Sequence, residues 1–370
     1  MRALIVSHLA AHGSNRGKLR ALGGLGCTVA VAVPDRVLAG PGATPMPVPW
    51  ADDGGVRVAP IPVRGPLEQP ALLRWKAGAL KRLVGEFRPE VIQLEEEPGS
   101  PAAAAVAAIA RRAGLPLVLV ATESISRPYS LGERLRRGRV VRQARGIIGI
   151  NRLALALALR QRGEVPNAIV PQHGIVPPPA PERQEHEEFA IGFVARLVPE
   201  RGLDIVFRAA VKLTGRWSIT VAGTGPAQEE LEALAERLGI AARVRWLGGV
   251  PRRELQGIWP RLDCAVLPAR TTPRWVEPVG GALLEAMGHA VPAIGSASGA
   301  LPDVIGDAGI VVPEDDPAAL AEALQRLADH ALLRIELGAA GRRRVLEVFS
   351  EGAVARETLA FWHRVTATLD

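Results

Sequence analysis

Two carboxylates frame a pair of glycines in the second half of the chain. Glu277 precedes Gly280 and Gly281, and Glu285 lies four residues after Gly281. Glycines at the start of a helix expose backbone N–H groups, and the helix dipole favours an anion such as phosphate there. Because carboxylates accept hydrogen bonds from hydroxyls, the two glutamates could bind a sugar on one side of the phosphate and a ribose on the other. A surface loop followed by an amphipathic helix is the alternative interpretation.

Two arginines that could bind a diphosphate follow a predicted strand. Arg196 comes directly after that strand, and Arg201 comes at the start of the next predicted helix. Guanidiniums at the carboxyl end of a strand can bind a diphosphate through forked hydrogen bonds. The turn Gly223-Thr224-Gly225-Pro226 follows the next strand. Alone it is a weak signal, because many strand-to-helix turns contain glycine.

Short apolar segments alternate with longer helical segments, which is typical of parallel strands joined by helices. In the first half we predict strands at Leu4–Val6, Thr28–Val33, Val91–Leu94, Leu117–Val120 and Ile147–Ile150, and helices at Ala71–Phe87 and Ala102–Arg112. In the second half we predict strands at Phe189–Ala195, Trp217–Ala222, Val244–Leu247, Cys264–Leu267, Val291–Ile294 and Ile310–Val312. The helices there are Leu203–Lys212, Gln228–Leu238, Pro317–Asp329, Ala331–Val348 and Glu351 to about residue 369.

This alternation predicts an α/β protein with two doubly wound, Rossmann-like domains that face each other across a cleft, with ligands at the carboxyl ends of the strands. We place the first domain at 1–175, a proline-rich linker at 176–188 and the second domain at 189–350. The C-terminal helix, about 351–370, is a candidate to pack back on the first domain. Residues 34–66 contain eight prolines, so a regular helix or strand is not expected over most of them. The segment is either an irregular spacer, which we favour, or a loop over the mouth of the cleft.

Composition excludes several classes of protein. The chain has 370 residues, of which 48% are hydrophobic and 22% charged, so it is globular and not disordered. Its two cysteines, Cys27 and Cys264, form neither a disulfide framework nor a zinc site of the usual spacing. No apolar run reaches the roughly 18 residues of a membrane span, and the first strand is too short for a signal peptide. We therefore expect a soluble, cytosolic protein.

The positive charge is concentrated in one segment. The net charge is +7, yet ten arginines and a single acid, Glu133, lie between Arg127 and Gly163. Such a cluster suits an anionic surface, whether phosphate, nucleic acid or acidic lipid. A solvated helix face is an equally good interpretation.

The motifs of the second half together resemble the retaining glycosyltransferases of family 4, which have the GT-B fold. The matching residues, in family order over residues 190–313, are Gly192, Arg196, Arg201-Gly202, Gly223–Pro226, Glu277, Gly280 and Glu285. The resemblance implies that Arg196 and Arg201 neutralise the leaving diphosphate of a nucleotide sugar and that Glu277 binds the sugar hydroxyls. The first half resembles the family only loosely.

The remaining donor-site residues are also implied by the resemblance. Glu285 would bind the nucleotide ribose, and the amides near Gly280 and Gly281 would hold phosphate. Gly225 belongs to the Gly-x-Gly-Pro turn beside the donor, and Val250 would lie by the base. The family usually has lysine in place of Arg201 and phenylalanine in place of Val279, but arginine keeps the charge.

The first half departs further from the family pattern. Many members have two glycines in the first loop, where this chain offers Gly13, and a histidine after the fourth strand, where it has Glu123. Glu123 could replace that histidine or cap the next helix. The acids Glu95–Glu97 could bind acceptor hydroxyls or begin a helix whose dipole favours acids. His8 and His12 could contact the acceptor or have a structural role.

We therefore predict a retaining glycosyltransferase that moves a sugar from a nucleoside-diphosphate sugar to an acceptor hydroxyl without a metal or other cofactor. The acceptor is a glycan, a lipid or a small molecule; peripheral contact with an anionic membrane at its inner face is compatible with the basic cluster, and nucleic acid is not an expected partner. The alternative is a phospholipid- or nucleic-acid-binding protein that uses the Arg127–Arg162 cluster. A nicotinamide-dependent oxidoreductase is disfavoured, because the glycine run Gly23–Gly26 precedes the second strand and does not follow the first.

Overall fold

The computed structural model describes residues 1–38, 40, 43–179 and 187–367. The chain divides into two compact units, the first made of residues 1–174 with 351–370 and the second of residues 175–350. Most of the predicted linker lies outside the described residues. Among the described helices, none is both long enough and apolar enough to cross a membrane.

The first unit contains twelve strands and six of the numbered helices among its described residues, five of them before residue 175. The strands are β1 Arg2–Val6, β2 Thr28–Pro34, β3 Arg36–Leu38, β4 Pro45–Pro47, β5 Ala51–Asp52, β6 Val56–Ile61, β7 Val63–Arg64, β8 Arg74–Trp75, β9 Val91–Leu94, β10 Leu117–Ala121, β11 Gly146–Gly149 and β12 Asn167–Ile169. The helices are α1 Gly17–Gly24, α2 Ala77–Phe87, α3 Pro101–Arg112, α4 Leu131–Gln143 and α5 Arg152–Arg162.

The second unit has a smaller sheet and more helices. Its strands are β13 Phe189–Val194, β14 Trp217–Ala222, β15 Val244–Trp246, β16 Cys264–Leu267, β17 Ala293–Ser296 and β18 Ile310–Val312. Its helices are α6 Leu203–Ala210, α7 Gln228–Arg237, α8 Arg252–Leu255, α9 Gly281–Gly288, α10 Leu301–Ile305, α11 Pro317–Asp329 and α12 Ala331–Arg344. The last helix, α13 Glu351–Ala367, belongs to the first unit.

Both sheets have the doubly wound strand order. The sheet of the second unit runs β15-β14-β13-β16-β17-β18, and all its neighbouring strands are parallel. The sheet of the first unit runs β12-β11-β10-β9-β1-β2-β6-β5, with only β5 antiparallel. The predicted α/β class with two Rossmann-like domains is therefore confirmed. In such sheets the order reverses between β1 and β9 and between β13 and β16, and ligands bind at the carboxyl ends of these strands.

The prediction of an irregular spacer over residues 34–66 is wrong. This segment contains β3 to β7, and β6 is a buried strand that pairs with β2 over six residues. The prolines concealed it, because proline cannot donate a hydrogen bond within a sheet.

The position of Pro60 explains how β6 tolerates a proline. The carbonyl oxygen of Ile61 accepts a hydrogen bond from Asp35 N at 3.0 Å, so the polar groups of Ile61 face β2. The ring nitrogen of Pro60 therefore points to the other edge of the strand. There β5 pairs only with Arg57 and Val58, so Pro60 interrupts no ladder.

Two predicted boundaries were also wrong. The helix predicted at Ala71–Phe87 begins only at Ala77, because Trp75 pairs with Val63 in a two-residue antiparallel ladder. The strand predicted at Val291–Ile294 lies two residues later, because Val291 N still donates to Ala286 O at the end of α9. Apolar side chains alone do not distinguish these turns from the elements beside them.

A buried polar chain connects α13 to the sheet of the first unit. Trp362 Nε1 donates to Gln93 Oε1 at 2.8 Å, and Gln93 Nε2 donates to Glu95 Oε1 at 2.7 Å. Lys18 Nζ on α1 completes the chain with a 2.7 Å bond to the same carboxylate oxygen. Burial raises the pKa of Glu95, but the charge and hydrogen bond of Lys18 outweigh it and leave that pKa lowered. The side chains of Lys18, Gln93, Glu95 and Trp362 thus satisfy one another, as buried polar groups require.

Candidate functional site

Two glycines of the second unit allow the loops after β13 and β14 to lie against each other. Gly223 has φ of 146°, and a Cβ there would lie 1.8 Å from Ala195 O; a Cβ at Gly225 would lie 2.2 Å from Leu197 O. The two backbones therefore meet on either side of Arg196. This contact gives Gly225 a structural role beside the donor-binding role predicted for it.

The Glu277 carboxylate is buried at the centre of the second unit's candidate site. Its Oε1 accepts hydrogen bonds from Gly280 N at 2.9 Å and Val279 N at 3.3 Å. Its Oε2 is paired with Arg201, and Glu277 is only 3% exposed. The guanidinium of Arg201 also stacks on Trp275, with 4.8 Å between its carbon and the ring centroid. The structure thus brings together two predicted residues that lie 76 positions apart.

The positive charge of Arg196 affects the guanidinium of Arg201. Arg196 is exposed at the end of β13, whereas Arg201 lies in the short 3-10 turn Pro199–Arg201. Burial and the positive charge of Arg196 lower the pKa of Arg201. The charge of Glu200 acts in the opposite direction but does not cancel these effects. An anion close to both guanidiniums would be stabilised by them.

Helix α9 begins beside these charges. Its N-cap is Gly280, with φ of 68°, and a Cβ there would lie 2.8 Å from Leu301 Cδ2. Gly280 has no side chain that could cap the helix, and the space around Gly281 is open. Its first amides are thus available to a phosphate. Glu285 lies on the second turn of the same helix and is half-buried.

Val250 lies in the loop after β15. A hydrogen bond of 2.7 Å from Gly223 N to Gly248 O connects this loop to the glycine turn. Val250 is half-buried and lines a groove of about 910 Å³ together with Leu247 and Glu254. Most of the groove is lined by residues at the amino ends of β13, β14 and β15, such as Ala190, Trp217 and Val244, so it does not test the role predicted for Val250. Val250 also packs against the core of the unit.

Sequence reasoning missed two residues of this site. Arg270 follows β16 and binds Asp204 through two 2.7 Å hydrogen bonds, while it also donates to Pro199 O at 2.8 Å. The hydrogen bonds that Arg270 donates to Asp204 and Asp315 raise the pKa of Arg270 despite its burial. Arg270 therefore fixes the turn that presents Arg201. The position of Arg270 in the loop after a strand could have indicated its role, whereas no sequence pattern indicates that Arg201 stacks on Trp275.

In the first unit, His8 and Glu96 form a pair where β1 and β9 end. Glu96 Oε1 accepts from His8 N at 2.6 Å, and both its oxygens lie 3.0 Å from His8 Nδ1. Burial lowers the pKa of His8, but the hydrogen bond and charge of Glu96, with the charges of Glu97 and Glu95, outweigh it and raise that pKa. His8 and both acids Glu96 and Glu97 line a pocket of about 510 Å³.

Glu123 does not cap the next helix, so that alternative was wrong. Ser130 caps α4 instead, with its hydroxyl accepting from Glu133 N. The Glu123 carboxylate is paired with Arg137 and accepts from Tyr129 OH at 3.1 Å. Charge repulsion by Glu123 adds to burial in raising the pKa of Tyr129 to about 12.

The other predicted residues of the first unit are more exposed. Gly13 lies in the 3-10 turn Gly13–Arg16 after β1, and His12 precedes it on the surface. Over the parts of the chain that the structure describes, no cluster of three or more His, Cys, Asp or Glu residues could hold a metal ion.

Some arginines of the basic cluster are buried or paired with acids of the first unit. Arg137 is 4% exposed, and Arg127 binds Glu133 at 2.6 Å and Glu97 at 3.2 Å. The exposed stripe of α4 remains charged and also carries Leu131 and Leu135, which are 74% and 53% exposed. Its arginines are Arg134, Arg139 and Arg142.

Comparison with known proteins identifies the two halves. The family model described as "Glycosyl transferase 4-like domain" matches residues 15–173, and the model "Glycosyl transferases group 1" matches residues 179–344. The two models together cover both units of the chain.

Curated relatives and solved structures agree with these models. A GDP-mannose-dependent alpha-(1-6)-phosphatidylinositol monomannoside mannosyltransferase of Mycolicibacterium smegmatis is 28% identical over 79% of this chain and 80% of its own length. A D-inositol 3-phosphate glycosyltransferase of Corynebacterium jeikeium is 32% identical over 40% of this chain and 37% of its own. The structure of HepE from Anabaena in complex with UDP aligns with a TM-score of 0.70, at 14% identity, over 98% of this chain and all of that one.

The His8–Glu96 pair predicts a pH-dependent stability. Because the pKa of His8 is raised on folding, the stabilisation is complete below pH 6.5 and is lost as the pH rises through the raised value. We expect His8→Gln to lower the free energy of unfolding by about 1.5–3 kcal/mol at pH 5.5, with a smaller loss at pH 8.5. Urea unfolding across this range measures the difference, and His12→Gln is the matched control. A difference that stays constant with pH would show that His8 is not charged in the folded protein.

Proposed function

Because the chain belongs to the GT-B glycosyltransferases of family 4, we propose that it transfers a sugar from a nucleoside-diphosphate sugar to an acceptor hydroxyl and retains the anomeric configuration. The observation that carries this proposal is the group of charges in the second unit. Arg196 and Arg201 follow β13 and influence each other electrostatically, Arg201 is paired with the buried Glu277, and Glu277 accepts a hydrogen bond from Gly280 N at the start of α9.

These groups suit the departure of a diphosphate. As the bond between the anomeric carbon and the diphosphate oxygen breaks, negative charge accumulates on the diphosphate and positive charge on the sugar ring. Arg196, Arg201 and the first amides of α9 stabilise the former, and this effect is greatest in the transition state. The acceptor oxygen then bonds to the same face of the anomeric carbon, and a phosphate oxygen accepts its proton. No step requires a divalent cation, because the guanidiniums carry the compensating charge.

The relatives support a nucleoside diphosphate but differ in its base. The mycobacterial relative is named as dependent on GDP-mannose, and the Anabaena structure contains UDP. In our proposal Glu285 binds the ribose, Val250 lies by the base, and Gly225 supports the loop between them. Glu277 binds hydroxyls of the sugar.

The first unit is proposed to bind the acceptor. His8 and Glu97 present polar atoms to the pocket of about 510 Å³ at the carboxyl ends of β1 and β9. Gly13 lies in the loop after β1, and Glu123 follows β10, so both belong to the same edge of the sheet. A polyhydroxylated acceptor would find both donors and acceptors of hydrogen bonds there.

We also propose that α4 holds the enzyme at an anionic membrane. Leucines and arginines share its exposed stripe, which is the pattern of a helix that lies in a lipid headgroup layer. The binding-only alternative is not favoured, because it gives no role to the charges around Glu277 and does not explain the two family models.

A nucleoside diphosphate should stabilise the protein in the presence of EDTA. Binding to the native state raises the melting temperature by mass action, so UDP or GDP at millimolar concentration should shift it measurably. If neither nucleotide shifts melting or gives heat in calorimetry, the donor site is not where we place it.

With the same nucleotide sugar, Arg196→Ala should lower turnover by about a hundred- to a thousandfold. Enzymes lose about this much when one preorganised hydrogen-bond donor is removed from a group that becomes negative in the transition state. Arg196→Lys should recover only part, because lysine lacks the forked geometry. Arg216→Ala, on an exposed arginine of the same unit, is the control. Wild-type turnover in Arg196→Ala would remove Arg196 from the site.

Membrane contact is tested by flotation with vesicles of phosphatidylcholine alone or with phosphatidylglycerol. We expect binding only to the anionic vesicles and a loss of about tenfold or more in Arg139→Glu/Arg142→Glu, since each basic residue near such a surface contributes about 1 kcal/mol. Equal binding of the wild type and the double variant would contradict the proposal, and binding of DNA in preference to vesicles would favour a nucleic-acid surface.

A further inference from the structure

Two anions can pair with Arg201, the Glu277 carboxylate and the donor diphosphate. It is paired with the buried Glu277, yet Arg201 is also the group proposed to face the donor diphosphate. A guanidinium committed to a carboxylate has fewer N–H groups and less net charge to offer a phosphate. Binding of the donor can therefore change how Arg201 is shared between the two anions.

The two oxygens of Glu277 are held differently. Oε1 is fixed by the backbone amides of Val279 and Gly280, at 3.3 and 2.9 Å, and these bonds do not depend on Arg201. Oε2 is the oxygen paired with Arg201. If the guanidinium turns away, Oε2 gains a free acceptor site while the carboxylate keeps its place.

Arg201 has a third partner that is uncharged. Trp275 lies under the guanidinium at 4.8 Å and packs against the core of the second unit. It is fixed by a tight turn in which Thr272 N donates to Trp275 O at 2.8 Å. An aromatic face attracts a cation whichever anion the cation is paired with.

We propose that the donor diphosphate displaces Glu277 from Arg201, which frees Oε2 for a sugar hydroxyl, and that Trp275 is the positioning residue that holds the guanidinium through this exchange. The diphosphate carries more negative charge than one carboxylate and also meets Arg196, so it competes effectively. This inference rests on the proposed function and gives a reason for arginine at this position, since a planar guanidinium can stack on Trp275 while it exchanges partners.

The exchange predicts that changing the buried Glu277 raises the affinity for a nucleotide. Because Glu277 competes with the diphosphate, Glu277→Gln should bind UDP or GDP about three- to tenfold more tightly than the wild type, whereas a residue that merely supports the fold would weaken binding when it is changed. Isothermal titration calorimetry with UDP and with GDP, in EDTA, measures this. Unchanged or weaker binding in Glu277→Gln overturns the exchange.

The role of Trp275 is tested with the same probes. Trp275→Leu should weaken nucleotide binding by about 2- to 12-fold, because a guanidinium that is no longer held by the stack must be ordered when the nucleotide binds, and Trp275→Phe should restore most of the affinity. In an Arg201→Ala background, Trp275→Leu should have no further effect. Trp50→Leu is the matched control, because Trp50 lies 5.5 Å from Arg57 on the first unit.

The outcomes distinguish a failure of the proposed donor site from a failure of the proposed role of Trp275. If the wild type binds neither UDP nor GDP, the proposed donor site fails and the exchange fails with it. If the wild type binds but Trp275→Leu binds equally well, or weakens equally in the Arg201→Ala background, the positioning role is wrong and the donor site stands. Thermal melting of each variant confirms that it is folded before titration.

Discussion

The local structure of the second unit depends on the burial of one charge. A carboxylate that is 3% exposed, such as that of Glu277, is stable only when it is hydrogen-bonded and paired. Arg201 provides the pairing charge, and the amides after Glu277 provide the hydrogen bonds. The second of those amides belongs to Gly280, whose positive φ starts α9 and leaves the first turn of the helix uncapped. An anion site at this helix therefore arises from the same turn that satisfies Glu277.

The same constraint explains why neighbouring loops are so tightly tied. Arg201 can reach Glu277 only if the turn Pro199–Arg201 is fixed, and Arg270 fixes it by binding both Pro199 O and Asp204. In the first unit Glu95 is buried by a similar arrangement, with Lys18 as its partner. That acid is committed to the fold, whereas Glu97 remains half-buried at a pocket. Two acids only two positions apart in the sequence thus have different roles.

The sequence allowed much of this architecture to be predicted, for physical reasons that also mark its limits. Buried parallel strands are mostly apolar, so β1, β2 and β9 were recognisable, and so was the position of Arg196 just after β13. β6 was missed because proline opposes strand formation unless its ring nitrogen points away from a ladder, which only pairing reveals. The Trp275 stack was not predictable, because it depends on a loop conformation that no periodic pattern encodes.

The central claim is that Arg196, Arg201 and the start of α9 form the site of the donor diphosphate. A crystal structure with bound UDP or GDP tests it most directly. We predict the two phosphates within hydrogen-bond distance of both guanidiniums and of the Gly281 amide, with Arg201 no longer paired with Glu277. A diphosphate bound elsewhere, for example on the arginines of α4, with the Arg201–Glu277 pair intact, would contradict the account.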